Sequence, residues 1–234
     1  MNGLFQLSVI IPVLNEEANL RELLPLISAH GGKFVVDLIV VDGGSKDNSV
    51  AVAQEFGAKV FELKEASRAR QMNLGAKAAQ GNTLYFVHAD TRPLPSFAMD
   101  IQEARLNGVR AGCYRYQFDS DHWLLKINGW ATRFNGPFSG GGDQTLFIST
   151  SLFQKLGGFK PDYCLMEDFE LVRRIKKRWS FYIIPKSIVV SHRKYVNNSW
   201  LRVQLVNLYI FILFHMGVSP ESLKKTYKKH LKHG

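Results

Sequence analysis

The chain has 234 residues, two of them cysteines, and carries 30 Lys and Arg against 20 Asp and Glu, a formal charge of +10. That length suits one large α/β domain with or without a short appendage, and such a core needs no disulfide staples; Cys113 and Cys164 have no metal-ligand spacing and read as free, buried thiols of a reducing cytosol. The positive surplus suits an anionic partner, but no zinc-finger spacing or aromatic RNA-binding signature accompanies it, so nucleic acid is set aside.

Elements alternate from the start. The apolar run at 7–13 lacks a basic leader and runs into Asn15-Glu16-Glu17, so it reads as a buried strand, not a signal peptide. The strand core is 8–11, followed by a helix over 16–28 with Asn15 as its N-cap. Residues 38–41 are continuous and β-branched, as in a parallel strand covered on both faces. A helix at 45–56, a short strand at 59–61, a helix at 67–79 and a strand at 83–87 follow. Strands and helices joined by short connections imply right-handed crossovers and a Rossmann-like, doubly wound, mostly parallel sheet. Farther on, 112–118 reads as a strand, 121–134 as a helix, and 135–143 as a glycine-rich segment able to close over a ligand. Residues 167–178 form a helix with acids first and bases last, which suits the helix dipole; 189–195 reads as a strand leading into a final helical pair.

Ligands of such sheets bind beyond the carboxyl ends of the strands. Asn15 and Glu16 follow the first strand, Asp42-Gly43-Gly44-Ser45 the second, and His88-Ala89-Asp90 the fourth. Asp42 is placed to accept hydrogen bonds from a base or ribose, or else it belongs to a helix-capping turn. His88 and Asp90, two apart on an extended segment, point the same way and can share a metal; the alternative is a packed histidine beside a turn-capping aspartate. Glu167 and Asp168 open a helix, where a carboxylate can deprotonate an acceptor hydroxyl or merely complement the dipole. Arg68 and Arg70 can meet a diphosphate or form a solvated basic face, and Arg70 is the better placed of the two.

The order of these segments resembles the family 2 glycosyltransferases of the GT-A fold. The segments are Ser8-Val9-Ile10-Ile11-Pro12-Val13-Leu14-Asn15-Glu16-Glu17, Val40-Val41-Asp42-Gly43-Gly44-Ser45-Lys46-Asp47, Ser67-Arg68-Ala69-Arg70-Gln71-Met72-Asn73-Leu74-Gly75-Ala76, His88-Ala89-Asp90, Gly142-Asp143-Gln144 and Met166-Glu167-Asp168-Phe169-Glu170-Leu171. The histidine form of the metal motif resembles a compact bacterial subfamily associated with radical-SAM or selenium-domain proteins. The resemblance implies that Pro12, Asn15 and Glu16 line the base and ribose pocket, that Asp42 bonds the base, uracil or guanine, and that Arg70 lies near base or diphosphate. It implies that Asp90, with His88 and Ala89 beside it, holds a divalent metal (Mn²⁺ or Mg²⁺) on the diphosphate of a UDP- or GDP-linked sugar. Asp143 and Gln144 would sit near the donor sugar or acceptor, and Asp168 would be the general base supported by Glu167. The implied reaction is inverting. One departure is His88 where the family usually has an aspartate, which lowers metal affinity or favours Mn²⁺. Another is Ile175 ahead of Arg178-Trp179 where processive synthases carry glutamine, which implies single transfer. His192, as a further metal ligand, or Arg193 can reach the diphosphate, unless both belong to a surface strand.

These segments imply a transferase domain over 1–195, its nucleotide-binding half at about 1–92 and its acceptor half at about 93–195, and a helical tail over 196–234 that is apolar and then basic. The apolar run at 200–216 is shorter than the roughly 20 residues of a spanning helix. It therefore packs on its own domain, forms a homodimer interface, or lies in a membrane surface, where the lysines up to Lys232 attract anionic lipid. The last option suits a lipid-linked acceptor and a cytoplasmic protein peripheral on the inner face of the membrane. Two readings compete with a transferase. A nucleotidyltransferase would need a glycine-rich triphosphate loop after the first strand, which is missing; a non-catalytic, membrane-associated nucleotide-sugar-binding module would not need Asp143, Glu167 and Asp168.

Overall fold

The computed structural model describes residues 4–136, 139–141 and 144–231. The first part repeats a strand–helix unit: β1 (Leu7–Val13), α1 (Glu17–Gly31), β2 (Val35–Asp42), α2 (Ser49–Glu55), β3 (Lys59–Glu62), α3 (Arg68–Ala78) and β4 (Thr83–Phe86). β1 pairs in parallel with β2 and β4, and β2 with β3. Every residue of β1 and of β4 is buried, which accounts for their predominantly apolar character.

The second part contains β5 (Thr91–Arg92), α4 (Phe97–Leu106), β6 (Ala111–Phe118), α5 (Trp123–Ala131), β7 (Leu146–Ser149), α6 (Thr150–Lys155), α7 (Glu167–Lys176), β8 (Tyr182–Val190), α8 (Arg193–Val196), α9 (Trp200–His215) and α10 (Pro220–His230). All eight strands join one sheet in the order β3-β2-β1-β4-β7-β6-β8-β5. β7 runs antiparallel to both β4 and β6, while β6 and β8 are parallel. The order turns back beside β1, so the crevice beyond the ends of β1 and β4 is the topological switch point.

Side chains alternate across the sheet and feed two cores. Val9, Ile11 and Val13 pack with Leu20, Leu23, Leu24 and Ile27 of α1 and with Phe97 and Ile101 of α4. Ile10, Ile39 and Val41 pack on the opposite face with Met72 of α3, Leu152 of α6 and Leu171 and Ile175 of α7. Gly75 lets α3 sit directly on the sheet: a Cβ there would lie 2.5 Å from Ile10 Cγ2. A third core joins Val203, Val206, Ile210 and Phe214 of α9 to Leu223 of α10 and to the segment bearing Tyr163, Leu165, Met166 and Phe169. One side of the tail thus packs on its own chain. Cys113 is buried and Cys164 half-buried, and both thiols are free.

The structure corrects several expectations. The strand expected over 189–195 lies earlier, as β8, and Arg193–Val196 is helical. Pro185 and Lys186 are both exposed at a register shift within β8, which breaks the apolar pattern ahead of the stronger 188–190 run. The helix expected from 45 begins at Ser49, because Ser45–Asn48 is consumed in a loop that bonds the β1 end. Asn15 is not the N-cap of α1; Glu16 holds that position and Asn15 turns left-handed at φ 54°. The sequence pattern does not predict the antiparallel β7 or the helices α4 and α6. β7 is a four-residue buried run too short to separate from a helix fragment by periodicity.

Candidate active site at the carboxyl edge of the sheet

The ends of β1 and β2 are locked together by their loops. The Asn15 amide donates to Ser45 Oγ at 2.8 Å, and Asn15 Oδ1 accepts from the Lys46 amide at 2.8 Å. The Glu16 amide donates to Ser49 Oγ and the Glu17 amide to Asp47 Oδ2. Gln71, buried on α3, reaches under this junction and donates to Val13 O and Val41 O, each at 2.8 Å. Asp42 is 1% exposed and turns onto its own loop: Oδ2 accepts from the Gly44 and Ser45 amides, and Oδ1 from the Ser45 hydroxyl. Pro12 is buried within β1, in register with Val41. An open depression of about 360 Å³ lies against this junction, lined by Asn15, Glu16, Asn19 and Asp47 among others.

His88-Ala89-Asp90 is a turn, not the end of an extended strand: β4 stops at Phe86, and the Thr91 amide donates to His88 O at 3.0 Å. The two-apart argument for a shared direction therefore fails here, although both side chains remain at the edge. Burial, with the Arg68 cation nearby, pushes the His88 imidazole down to about 3, so it is neutral with a lone pair to offer. Asp90 is half-buried, and Ala89 is buried. Arg193 Nη2 donates to Glu16 Oε1 at 2.9 Å; that bond, together with the Glu16 and Asp90 charges, holds the guanidinium above its ordinary value. Arg193 thus ties the β1 loop to the segment after β8, within the electrostatic reach of Asp90. His192 is engaged elsewhere: Nδ1 lies 2.6 Å from Asp119 Oδ1, which also accepts the His192 amide at 2.8 Å. Asp119, just past β6, was not singled out from the sequence.

The third contribution comes from the start of α7. Met166 is its N-cap in a left-handed conformation, φ 66°, with no side-chain cap bond. Met166 and Asn15 are the non-glycine residues with positive φ among those described, and both border this edge. Met166 is held by packing against the α9–α10 core. Glu167 and Asp168 follow, 2% and 7% exposed. Glu167 Oε1 has no hydrogen-bond partner among the described residues, and Arg68 Nη1 lies 3.8 Å away. Arg68 at the start of α3 therefore connects α7 electrostatically with His88. Glu170 belongs to the scaffold: Arg174 grips both its oxygens and also donates to Leu156 O and Gly158 O. Arg70 is exposed. Gln144 is a buried strut, accepting from the Gly140 amide at 2.6 Å and donating to Tyr114 O at 2.9 Å. Asp143 lies outside the described residues.

No three His, Cys, Asp or Glu side chains among the described residues converge as a cation site. The donor set at the β4 end is one neutral imidazole and one carboxylate, which fits Mn²⁺ better than the all-oxygen preference of Mg²⁺. A cation there needs further oxygen ligands of the kind a diphosphate carries.

The comparisons agree with this architecture. The model of the family "Glycosyl transferase family 2" matches residues 8–160. The chain is 30% identical over 135 residues to 4,4'-diaponeurosporenoate glycosyltransferase of Staphylococcus aureus (strain MRSA252), an alignment covering 57% of this chain and 34% of that protein. The chain thus spans about a third of the length of the curated relatives it matches. Among solved structures, it superimposes on the mannosyltransferase PcManGT from Pyrobaculum calidifontis in complex with GDP-Man and Mn²⁺ with a TM-score of 0.68 at 17% identity, covering 95% of this chain and 68% of that one. Glucosyl-3-phosphoglycerate synthase from Mycobacterium tuberculosis, with Mn²⁺, UDP and glucosyl-3-phosphoglycerate, gives 0.66 at 22% identity, covering 92% and 81%. The fold is GT-A, and the chain belongs to glycosyl transferase family 2.

Proposed function

We propose that the protein is an inverting, metal-dependent glycosyltransferase that moves one sugar from a UDP- or GDP-linked donor to an acceptor hydroxyl. One observation carries this reading: the ends of β1, β2 and β4 converge with the buried Glu167 and Asp168, and Arg68 and Arg193 bridge the parts. The matching relative is named for the glycosylation of 4,4'-diaponeurosporenoate, and two fold neighbours were crystallised with Mn²⁺ and GDP-Man or UDP, which supports the donor class and the metal. Within the family, the His88 form of the metal motif and the Met166-Glu167-Asp168 segment favour the compact bacterial subfamily linked to radical-SAM and selenium-domain proteins.

Pro12, Asn15 and Glu16 face the base and ribose, and Asp42, through the rigid loop it organises, shapes the base pocket. Arg193 and Arg70 meet the diphosphate, Asp143 acts toward the sugar or acceptor, and buried Gln144 braces the segment that carries it. His88 and Asp90 would hold a divalent cation, which would supply charge neutralisation at the leaving diphosphate. Asp168 takes the proton of the acceptor hydroxyl as its oxygen bonds to the anomeric carbon. The bond from that carbon to the diphosphate oxygen breaks from the opposite side, so configuration inverts. Buried Glu167 keeps Arg68 beside the site. The acceptor itself is unassigned; a lipid-linked hydroxyl met at the cytoplasmic face of a membrane is the class that the apolar and then basic tail supports.

The test is release of nucleoside diphosphate from UDP- and GDP-sugars with Mn²⁺, in native protein and Asp168→Asn. General-base loss should lower turnover by roughly 10²–10⁴-fold with diphosphate affinity retained. Unchanged turnover would remove Asp168 from the chemistry; donor binding without release in the native protein would make it a binding module.

A further inference from the structure

Helix α9 is apolar on two opposite sides. Val203, Val206, Ile210 and Phe214 are buried against the domain. At about 100° per residue, Leu201, Leu205, Leu208, Tyr209, Ile212 and Met216 fall on one stripe roughly opposite, and all six are 47–73% exposed. The two residues that border the stripe on either side, Arg202 and His215, are polar.

A second open stripe lies on α5. Trp123, Ile127 and Trp130, with Phe134 just past the helix end, follow i, i+4, i+7, i+11 spacing and are 48–65% exposed, opposite the buried Leu125. The two helices are neighbours: Asn128 of α5 and Gln204 of α9 both donate to Tyr195 Oη, each at 3.2 Å. Two exposed apolar stripes on helices that share a hydrogen-bonded tyrosine mark a candidate interaction surface.

Charge selects the partner. The α9–α10 hairpin carries Arg202, Lys224, Lys225, Lys228 and Lys229 against a single carboxylate, Glu221. On α10 the lysines lie away from the buried Leu223, and Lys225, Lys228 and Lys229 are exposed. A second copy of the chain would bring the same cations face to face and be repelled. An anionic lipid surface would accept both the stripes and the lysines, and tryptophans suit the water–lipid boundary. No helix among the described residues is long and apolar enough to cross a membrane, so the hairpin would lie along the surface.

We propose that α5 and the α9–α10 hairpin form one docking face for an anionic membrane surface, with Trp123 and Trp130 and the α9 leucines entering the interface and the α10 lysines meeting headgroups. The face stands on exposed residues alone, so it is tested separately from the transferase reading.

Flotation of the full chain with phosphatidylcholine vesicles, and with vesicles of phosphatidylcholine and phosphatidylglycerol at about 3:1, tests it. Binding to the anionic vesicles should exceed binding to the neutral ones by at least about tenfold and weaken with salt. Trp fluorescence should shift to the blue on binding. Leu205→Glu with Ile212→Glu, and separately Lys228→Glu with Lys229→Glu, should each lower binding by about tenfold or more. Both pairs are exposed, so circular dichroism should show an unchanged fold. Equal partition with neutral and anionic vesicles, or none with either, would overturn the proposal. So would a concentration-dependent dimer that Leu205→Glu dissolves, which assigns the face to a second copy.

Discussion

Gln71 joins the scaffold to the site, and its replacement by methionine gives a sharp test. Methionine matches its length and keeps the buried volume but cannot donate. Two hydrogen bonds of 2.8 Å would be lost, to Val13 O and Val41 O. Val13 O retains the Gly43 amide at 2.8 Å. With about 1 kcal/mol for each bond, the expected cost is about 2 kcal/mol. The loss falls where β1 and β2 hand over to the Asn15 and Asp42 loops, so diphosphate affinity should drop with it. Urea denaturation followed by circular dichroism reads the first effect, and calorimetric titration of UDP or GDP with Mn²⁺ reads the second. A stability change below about 0.5 kcal/mol with native affinity would refute the idea that Gln71 sets the spacing of the two strand ends.

Gly75→Ala should destabilise by about 1–3 kcal/mol, less a helix-propensity gain of up to about 1 kcal/mol, because its Cβ would meet Ile10 and Val41 under α3. A thermal midpoint at or above the native one would mean that the helix lifts freely. Asp37 lies at the amino edge of the sheet; burial pushes its carboxyl up, but Lys59, the Ser8 hydroxyl and the Gln80 amide outweigh it and hold the pKa below 3.8. Its contribution is therefore full above that value and is lost as pH falls through the folded pKa. Asp37→Asn should accordingly be less stable at pH 7, with the gap closing below about pH 3.8; a gap constant from pH 7 to pH 2 would contradict this. Asp90→Ala should abolish the difference in diphosphate affinity between Mn²⁺ and chelator, measured by titration calorimetry; a difference that persists would remove Asp90 as a ligand.

What the sequence reveals depends on how local the cause is. β1 and β2 are legible because strands buried on both faces must be unbroken apolar runs, and the polar groups after them stand out by contrast. Glu167 and Asp168 are legible as a helix start. The strand order is not, because the antiparallel β7 depends on pairing with β4 across about sixty intervening residues. Nor is the role of Arg68, which reaches Glu167 only once α3 and α7 lie on the same sheet face. Gln144 illustrates the same limit: its neighbourhood in sequence resembles a ligand-binding motif, while its side chain spans two backbone groups, one of them thirty residues away. Asp119 is not legible in the sequence because its partner His192 lies far along the chain, beyond β8. The tail was half legible: its apolar character was plain, but the division of α9 into a packed side and an open side follows only from the position of Met166 and Phe169 beneath it.

The most direct measurement of the central claim is a thermal-shift comparison of UDP, GDP, CDP and TDP, each with Mn²⁺, Mg²⁺ or chelator. The account predicts stabilisation by UDP or GDP that requires metal, is stronger with Mn²⁺, and disappears in Asp90→Ala. No stabilisation by any diphosphate under any of these conditions, from a sample that melts cooperatively, would contradict it.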